Sequence, residues 1–182
     1  MSRNAACVRG KRVLHFAPEA ALTDTVRRLA AEYKSADLQP GRADLALNIE
    51  RIDLPAESFD LVICNHVLEH VDDTKAISEI NRVLAPDGIA IFMFPIVESW
   101  SKTLEETDLP YPIRSKSDRV LYFGQSDHVR YYGRDVRTRI SSFGFTLSEL
   151  VAEEPDVSEY GLLRGETIFI ATKDRALPKS AH

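Results

Sequence analysis

The chain predicts an α/β fold built on a mostly parallel sheet, and three observations lead there. Strand-like and helix-like segments alternate along the sequence, the pattern of βα units. Phe59 to Asn65 (FDLVICN) is a continuous apolar run, as in a parallel strand buried on both faces. Asp72 to Leu84 (DDTKAISEINRVL) then places Ala76, Ile77, Ile80, Val83 and Leu84 at helical spacing, so that one helix face covers the sheet. With 182 residues, positions 1–182 suffice for one well-cored domain and are too few for two.

The elements follow in order. Val13 and Leu14 open a first buried strand, and Ala20 to Tyr33 reads as an amphipathic helix with Leu22, Val26, Leu29, Ala30 and Tyr33 on one face. Between them His15, Phe16, Ala17, Pro18 and Glu19 form a strand-to-helix turn without glycine. In a doubly wound sheet such a turn lies at the carboxyl edge, where ligands bind beside the helix amino terminus. Pro18 fixes its own φ and biases Ala17 toward an extended form. Lys34 to Leu38 reads as a second strand with Asp37 at its end, and Ala43 to Ile49 as a third. Only ten residues separate Asp37 from Asn48, too few for a helical crossover, so the third strand must be short or loosely joined. After the central helix, Pro86, Asp87 and Gly88 read as its stop and Ile89 to Phe94 as the fifth strand. Glu98 to Tyr132 is a polar and aromatic insertion without clear period, of a length that is usually functional or disordered. Arg134 to Phe143 reads as a further helix closed at Gly144, with Phe145 to Val151 and Glu166 to Thr172 as the last two strands.

Composition narrows the function classes. With 44% hydrophobic and 28% charged residues the chain has an ordinary soluble composition. A net charge of -5 and a pI near 5.6 supply no global cationic field for nucleic acid or anionic membrane, so neither is expected as a partner. Two cysteines, Cys7 and Cys64, indicate no disulfide framework, and with no export signal or membrane helix the expected location is the cytoplasm. The five histidines, His15, His66, His70, His128 and His182, form no ligand pattern with an acid, so no metal is expected.

Two blocks then carry a resemblance. PAESFDLVICNHVLEHV (Pro55 to Val71) and INRVLAPDGIAIFMFP (Ile80 to Pro95) combine Ser58-Phe59-Asp60, Leu68-Glu69-His70 and Arg82-Val83-Leu84 with Pro86 and Gly88. In that combination and segment order the chain resembles the class I S-adenosylmethionine-dependent methyltransferases (methyltransferase type 11-like) from about Val13 to Thr172. The HFAPE turn together with FGQSDHVRYYGRD (Phe123 to Asp135) looks like a bacterial subgroup of them. The resemblance implies a Rossmann-like class I methyltransferase fold: a mostly parallel seven-stranded sheet with a terminal antiparallel pair, helices on both faces, and S-adenosyl-L-methionine across the carboxyl edge. It implies cofactor contacts at His15, Phe16, Ala17, Pro18 and Glu19 for the methionyl part, and at Asp37 and Leu38 for the ribose. Asn48 and Ile49 would meet the adenine, and Asn65 and His66 would lie near the sulfonium. Glu19 is expected to bind the cofactor's ammonium group; the competing reading makes it a helix-start acid favoured by the macrodipole.

The insertion at about 98–132 is expected to cover an acceptor. A hydroxyl acceptor needs a base, a role suited to imidazole, and His128 in the insertion is the candidate, with Asp127 to orient it. Alternatively both residues cap the turn before Tyr131. Arg130 could bind an acceptor carboxylate or phosphate through its planar fork, or pair with Glu105, Glu106 or Asp108. Trp100, Phe123, Tyr131 and Tyr132 are candidates for the acceptor wall. The expected function is methyl transfer from S-adenosylmethionine to a hydroxyl, with an amine second, of a small-molecule or sugar-like acceptor. The first strand begins close to the amino terminus, which leaves the pocket open for a second subunit, in a homodimer or with another partner, to complete. The rival reading is a non-catalytic cofactor-binding or partner-regulating protein of the same fold, and a third is a transferase that uses a decarboxylated cofactor.

Overall fold

Val13, Leu14, Leu61, Val62, Ile63 and Cys64 sit at the middle of the sheet because apolar runs without polar alternation can be buried only where helices or loops cover both faces. The computed structural model describes residues 5–175. Its elements run α1 (Ala5–Val8), β1 (Arg12–Phe16), α2 (Ala20–Leu29), β2 (Glu32–Asp37), β3 (Leu45–Ala46), β4 (Phe59–Asn65), α3 (Asp73–Val83) and β5 (Leu84–Met93). Then follow β6 (Leu104–Glu105), α4 (Lys116–Phe123), β7 (Arg130–Tyr131), α5 (Val136–Ser141), β8 (Phe145–Val151), α6 (Asp156–Tyr160) and β9 (Thr167–Lys173). The main sheet has seven strands in the order β3-β2-β1-β4-β5-β9-β8, and the insertion adds a separate β6-β7 ribbon. β9 runs antiparallel to both its neighbours, and the pairings from β3 through β5 are parallel. The predicted fold class is what the chain adopts.

The larger core lies between one sheet face (Leu14, Phe16, Val62, Cys64, Ala90, Phe92, Phe169) and the apolar sides of α3 and α5 (Ile77, Ile80, Val83, Val136, Ile140). On the other face Val13, Leu61 and Ile63 pack with Val8 and Val26. No helix joins β2 to β3 or β3 to β4. In place of a helix, Arg82 of α3 donates to the carbonyls of Leu54 (2.8 Å) and Ile52 (2.6 Å), and Glu79 accepts from the Ile52 amide at 2.7 Å. That pair pins the bare crossover against the core.

Several boundaries differ from those the sequence predicts. The first helix stops at Leu29, since the amides of Ala31 and Glu32 bond to Lys11 and draw Tyr33 into β2 opposite Val13. The third strand is only two residues long. Leu84 leaves α3 in extended form and starts β5 itself, so Pro86, Asp87 and Gly88 lie within β5, where the register against β4 shifts between Phe59 and Leu61. The insertion, read as patternless, holds α4, started by a reciprocal Ser115–Asp118 capping box and closed at left-handed Gly124. Gly124 has a second reason to be glycine: a Cβ there would stand 2.2 Å from the Tyr131 hydroxyl. A helix at Asp156–Tyr160 likewise replaces part of a predicted loop.

Candidate active site

In the order β3-β2-β1-β4-β5 the connections run outward in opposite directions from β1 and β4, so a crevice opens above the carboxyl ends of these two strands. Ala17, Pro18 and Glu19 leave β1 there, and Asn65 and His66 leave β4. Two of these residues are left-handed without being glycine, Ala17 at φ 45° and His66 at φ 53°. The expectation that Pro18 holds Ala17 extended is therefore corrected: the Ala17 amide donates to Ala36 O at 2.8 Å, and that bond sets the turn. Alanine does here what glycine does in a glycine-rich turn, at a cost of about 1–2 kcal/mol.

His15 is fully buried and lies below the crevice, so it is a positioning residue rather than a cofactor contact. Its Nε2 lies 2.6 Å from Glu19 Oε2 and its Nδ1 3.0 Å from the Tyr33 hydroxyl. An ionised carboxylate only accepts, which puts the proton on Nε2 and leaves Nδ1 to accept from Tyr33. Glu19 Oε1 accepts from Asn65 Nδ2 at 2.9 Å. Glu19 stands at the N-cap position of α2, as the helix-start reading has it, but its side chain makes no cap hydrogen bond and is held instead by His15 and Asn65. Burial pushes the Glu19 carboxyl up, but the hydrogen bonds from His15 and Asn65 outweigh it and hold the group below the usual glutamate value. The Asn65 amide is fixed by its donation to Glu19, and its buried Oδ1 has no partner. A carboxylate and an orphan acceptor on adjacent strand ends together fit a ligand that brings a cationic N–H donor.

The remaining cofactor candidates divide. Asp37 ends β2 with its Oδ1 accepting from Gln39 N at 2.7 Å, and Leu38 beside it is 70% exposed on the crevice rim. Asn48 is exposed, and its Oδ1 already accepts from Glu50 N at 2.9 Å. Phe16 and Ile49 are corrected: both side chains are buried in the core, leaving only their backbones near the rim. His66 stands between Glu69 and Glu166, each 3.5 Å away. Its pKa is raised, chiefly by Glu69 and against the opposing effect of burial.

The insertion docks on the turn after β4. The Val129 amide donates to Glu69 O at 2.9 Å, and Arg130 reaches the carbonyls of Leu68 and Val71. Arg130 is thus corrected from acceptor clamp to structural tie. It is buried, and its Nε stands 3.8 Å from Asp73 and from Glu105. Beneath it, buried Asp73 accepts from Arg139 (2.9 and 3.0 Å) and from the Tyr132 hydroxyl (2.9 Å). Tyr132 and Phe123 are fully buried and belong to packing, whereas Trp100 meets Tyr131 edge-on near the surface.

Asp127 does not orient His128. It faces His70, whose Nδ1 lies 3.3 Å from its carbonyl and 3.5 Å from its Oδ2. His128, 3% exposed, instead has Nδ1 at 3.1 Å from Phe123 O. A carbonyl only accepts, so Nδ1 carries the proton and the lone pair is on Nε2. His128 meets His70 edge-to-face at 4.7 Å between ring centroids, and Glu69, His70 and His128 each bring one potential ligand atom within 4.8 Å of the others. No such set was expected from the sequence, because its members lie in separate segments that only the docked insertion unites. Glu69 itself, inside the Leu68-Glu69-His70 block, was not singled out; an acid in the mostly apolar segment Val67 to Val71 after β4 was the available signal.

A family profile described as "Methyltransferase domain" matches residues 4–92, from ahead of β1 to within β5. Comparison with curated proteins gives no significant match. Among solved structures, the YcgJ protein of Bacillus subtilis superposes with a TM-score of 0.62 at 15% identity over 96% of both chains. An S-adenosylmethionine-dependent methyltransferase of Mesorhizobium loti gives 0.62 at 14% over 91% of both. A 1,6-didemethyltoxoflavin-N1-methyltransferase of Burkholderia thailandensis, solved with its substrate and S-adenosylhomocysteine, gives 0.57 at 17% over 94% of this chain and 77% of that one. Over residues 4–92 the chain is similar to the methyltransferase-domain family, and its sheet follows the Rossmann-like course of these solved structures.

Proposed function

We propose that the protein is an S-adenosylmethionine-dependent methyltransferase acting on a hydroxyl of a small-molecule or sugar-like acceptor. The observation that carries the cofactor half is the convergence of the Glu19 carboxylate and the unpartnered Asn65 Oδ1 at the crevice between β1 and β4. Together they suit the ammonium group of the methionyl part, and His15 and Tyr33 hold Glu19 in place from below. Asp37 at the tip of β2 suits the ribose hydroxyls, with Leu38 and exposed Asn48 toward the base. The bound cofactor supplies an electrophilic methyl group; the chain supplies orientation and exclusion of water.

On the acceptor side the insertion supplies His128, whose Nε2 lone pair is the available base for a hydroxyl proton. The reading fits a reducing cytoplasm, since neither cysteine is in a disulfide; no helix among the described residues is long and apolar enough to cross a membrane. Incubation with methyl-labelled cofactor and a fractionated metabolite extract tests it. Label in a hydroxyl-bearing product supports the enzyme, and no transfer at saturating cofactor overturns it in favour of a binding protein of the same fold.

A further inference from the structure

We propose that Glu69, His70 and His128 bind a divalent transition-metal cation at the foot of the insertion. Glu69 is 1% exposed, and its Oε2 is buried with no hydrogen-bond partner. A carboxylate oxygen left bare in the interior is costly unless a positive centre meets it. The nearest cationic group, His66 Nδ1, lies 3.5 Å away against the other oxygen.

The two imidazoles are arranged as ligands are. In each, Nδ1 faces a carbonyl, Phe123 O for His128 and Asp127 O for His70, with the Asp127 carboxylate also beside His70. That outer contact fixes the tautomer and leaves the lone pair on Nε2, the arrangement found in metal-binding histidines. Ligand atoms about 2.0–2.1 Å from a tetrahedral ion stand about 3.4 Å from one another. The set here lies within 4.8 Å, so an ion has to draw it in by about 1.4 Å, and His70, its side chain 27% exposed, has the most room to move. His70 also lines an open cleft of about 510 Å³ with Asp72, Thr74 and Val129, which gives an ion a path from solvent.

Two nitrogens and one carboxylate oxygen suit zinc, cobalt, manganese or iron in the divalent state, and they leave coordination positions open. The proposal deepens the hydroxyl-acceptor reading and changes the part played by His128, whose lone pair goes to the ion. A hydroxyl bound at an open position is acidified, and its proton leaves to solvent. Its oxygen then forms the new bond to the methyl carbon as the sulfonium S–CH₃ bond breaks, the electron pair staying on sulfur.

Calorimetric titration of the chelator-treated full chain with zinc, manganese and cobalt(II) salts tests the site, with visible absorption of the cobalt form as a second readout. The expected result is one equivalent bound and ligand-field bands from nitrogen and oxygen donors. Glu69→Gln and His128→Ala are expected to weaken binding by about 100-fold or more. Should the buried variants misfold by circular dichroism, His70→Gln at the partly exposed position carries the same prediction. Absence of binding at millimolar metal, or binding that survives these substitutions in folded protein, overturns the proposal. S-adenosylhomocysteine binding is titrated in parallel: metal failing while this ligand binds removes the metal site alone, and the converse removes the cofactor reading alone.

Discussion

Replacing Glu19 by glutamine keeps the side chain's size and removes its charge, and the structure allows both consequences to be worked through. Two donors converge on the carboxylate, His15 Nε2 at 2.6 Å and Asn65 Nδ2 at 2.9 Å. A glutamine offers one acceptor oxygen and turns an N–H₂ toward the other partner, which meets it only by a change of His15 tautomer or a flip of the Asn65 amide. Neutral hydrogen bonds then replace charge-assisted ones around a half-buried group, a stability cost of about 1 kcal/mol. Affinity suffers more. A hydrogen bond to a charged partner contributes about 1.5–3 kcal/mol, which at 1.4 kcal/mol per decade is a loss of about 10- to 100-fold in Kd. Titration calorimetry with S-adenosylmethionine and with S-adenosylhomocysteine measures it. Both ligands carry the same ammonium group, so the predicted loss is equal for the two. Unchanged affinity in a folded Glu19→Gln protein refutes the assignment, and a loss confined to the sulfonium ligand moves Glu19 from the ammonium to the sulfur.

Three further outcomes are expected. Ala17→Gly relieves a left-handed alanine costing about 1–2 kcal/mol against about 0.4–1 kcal/mol of added chain entropy, so urea unfolding should show a gain of up to about 1.6 kcal/mol, and a clear loss contradicts the strain. Asp73→Ala strips Arg139 and the Tyr132 hydroxyl of their buried partner and is expected to cost about 3–5 kcal/mol, read as a fall in the urea midpoint; a loss below about 1 kcal/mol would show the network to be dispensable. Since Glu19 titrates lower in the folded than in the unfolded chain, its stabilising contribution is complete above the ordinary glutamate value of about 4.3 and fades as the pH falls through its lowered folded value. The difference in Tm between wild type and Glu19→Gln should shrink over that acid window, and a difference that grows there counts against the hydrogen-bonded carboxylate.

Where one segment's pattern sufficed, the sequence was readable. The apolar run of β4, the apolar face of α3 and the paucity of residues between Asp37 and Asn48 led to the sheet and its bare crossover. The place of Glu19 at a glycine-free strand-to-helix turn was legible too, whereas its bonds to His15 and Asn65 were not. Properties created by contact between distant segments were not. Ala17 takes its φ from a bond to β2, Arg130 its burial from the turn after β4, and Asp127 and His128 their separate partners from how the insertion lies. Adjacency in sequence suggested that Asp127 serves His128, but the bend ahead of β7 turns Asp127 to His70 and His128 to the end of α4. The α4 capping box was visible at Ser115 and Asp118, though its helix is too short for periodicity to reveal.

The way the insertion returns to the body has a bearing on how such a protein can diverge. Its last residues are stitched down by Val129, Arg130 and Tyr132, whereas its outer part carries exposed Tyr111, Val120 and Leu121. A residue added or deleted between Val129 and Tyr132 would shift three anchors at once and break up the group around His128. Changes of length or side chain near Tyr111 meet no such constraint. On the proposed function, acceptor preference and chemistry would lie in separable stretches of one loop, and exchange of the outer stretch would be the route to a new acceptor.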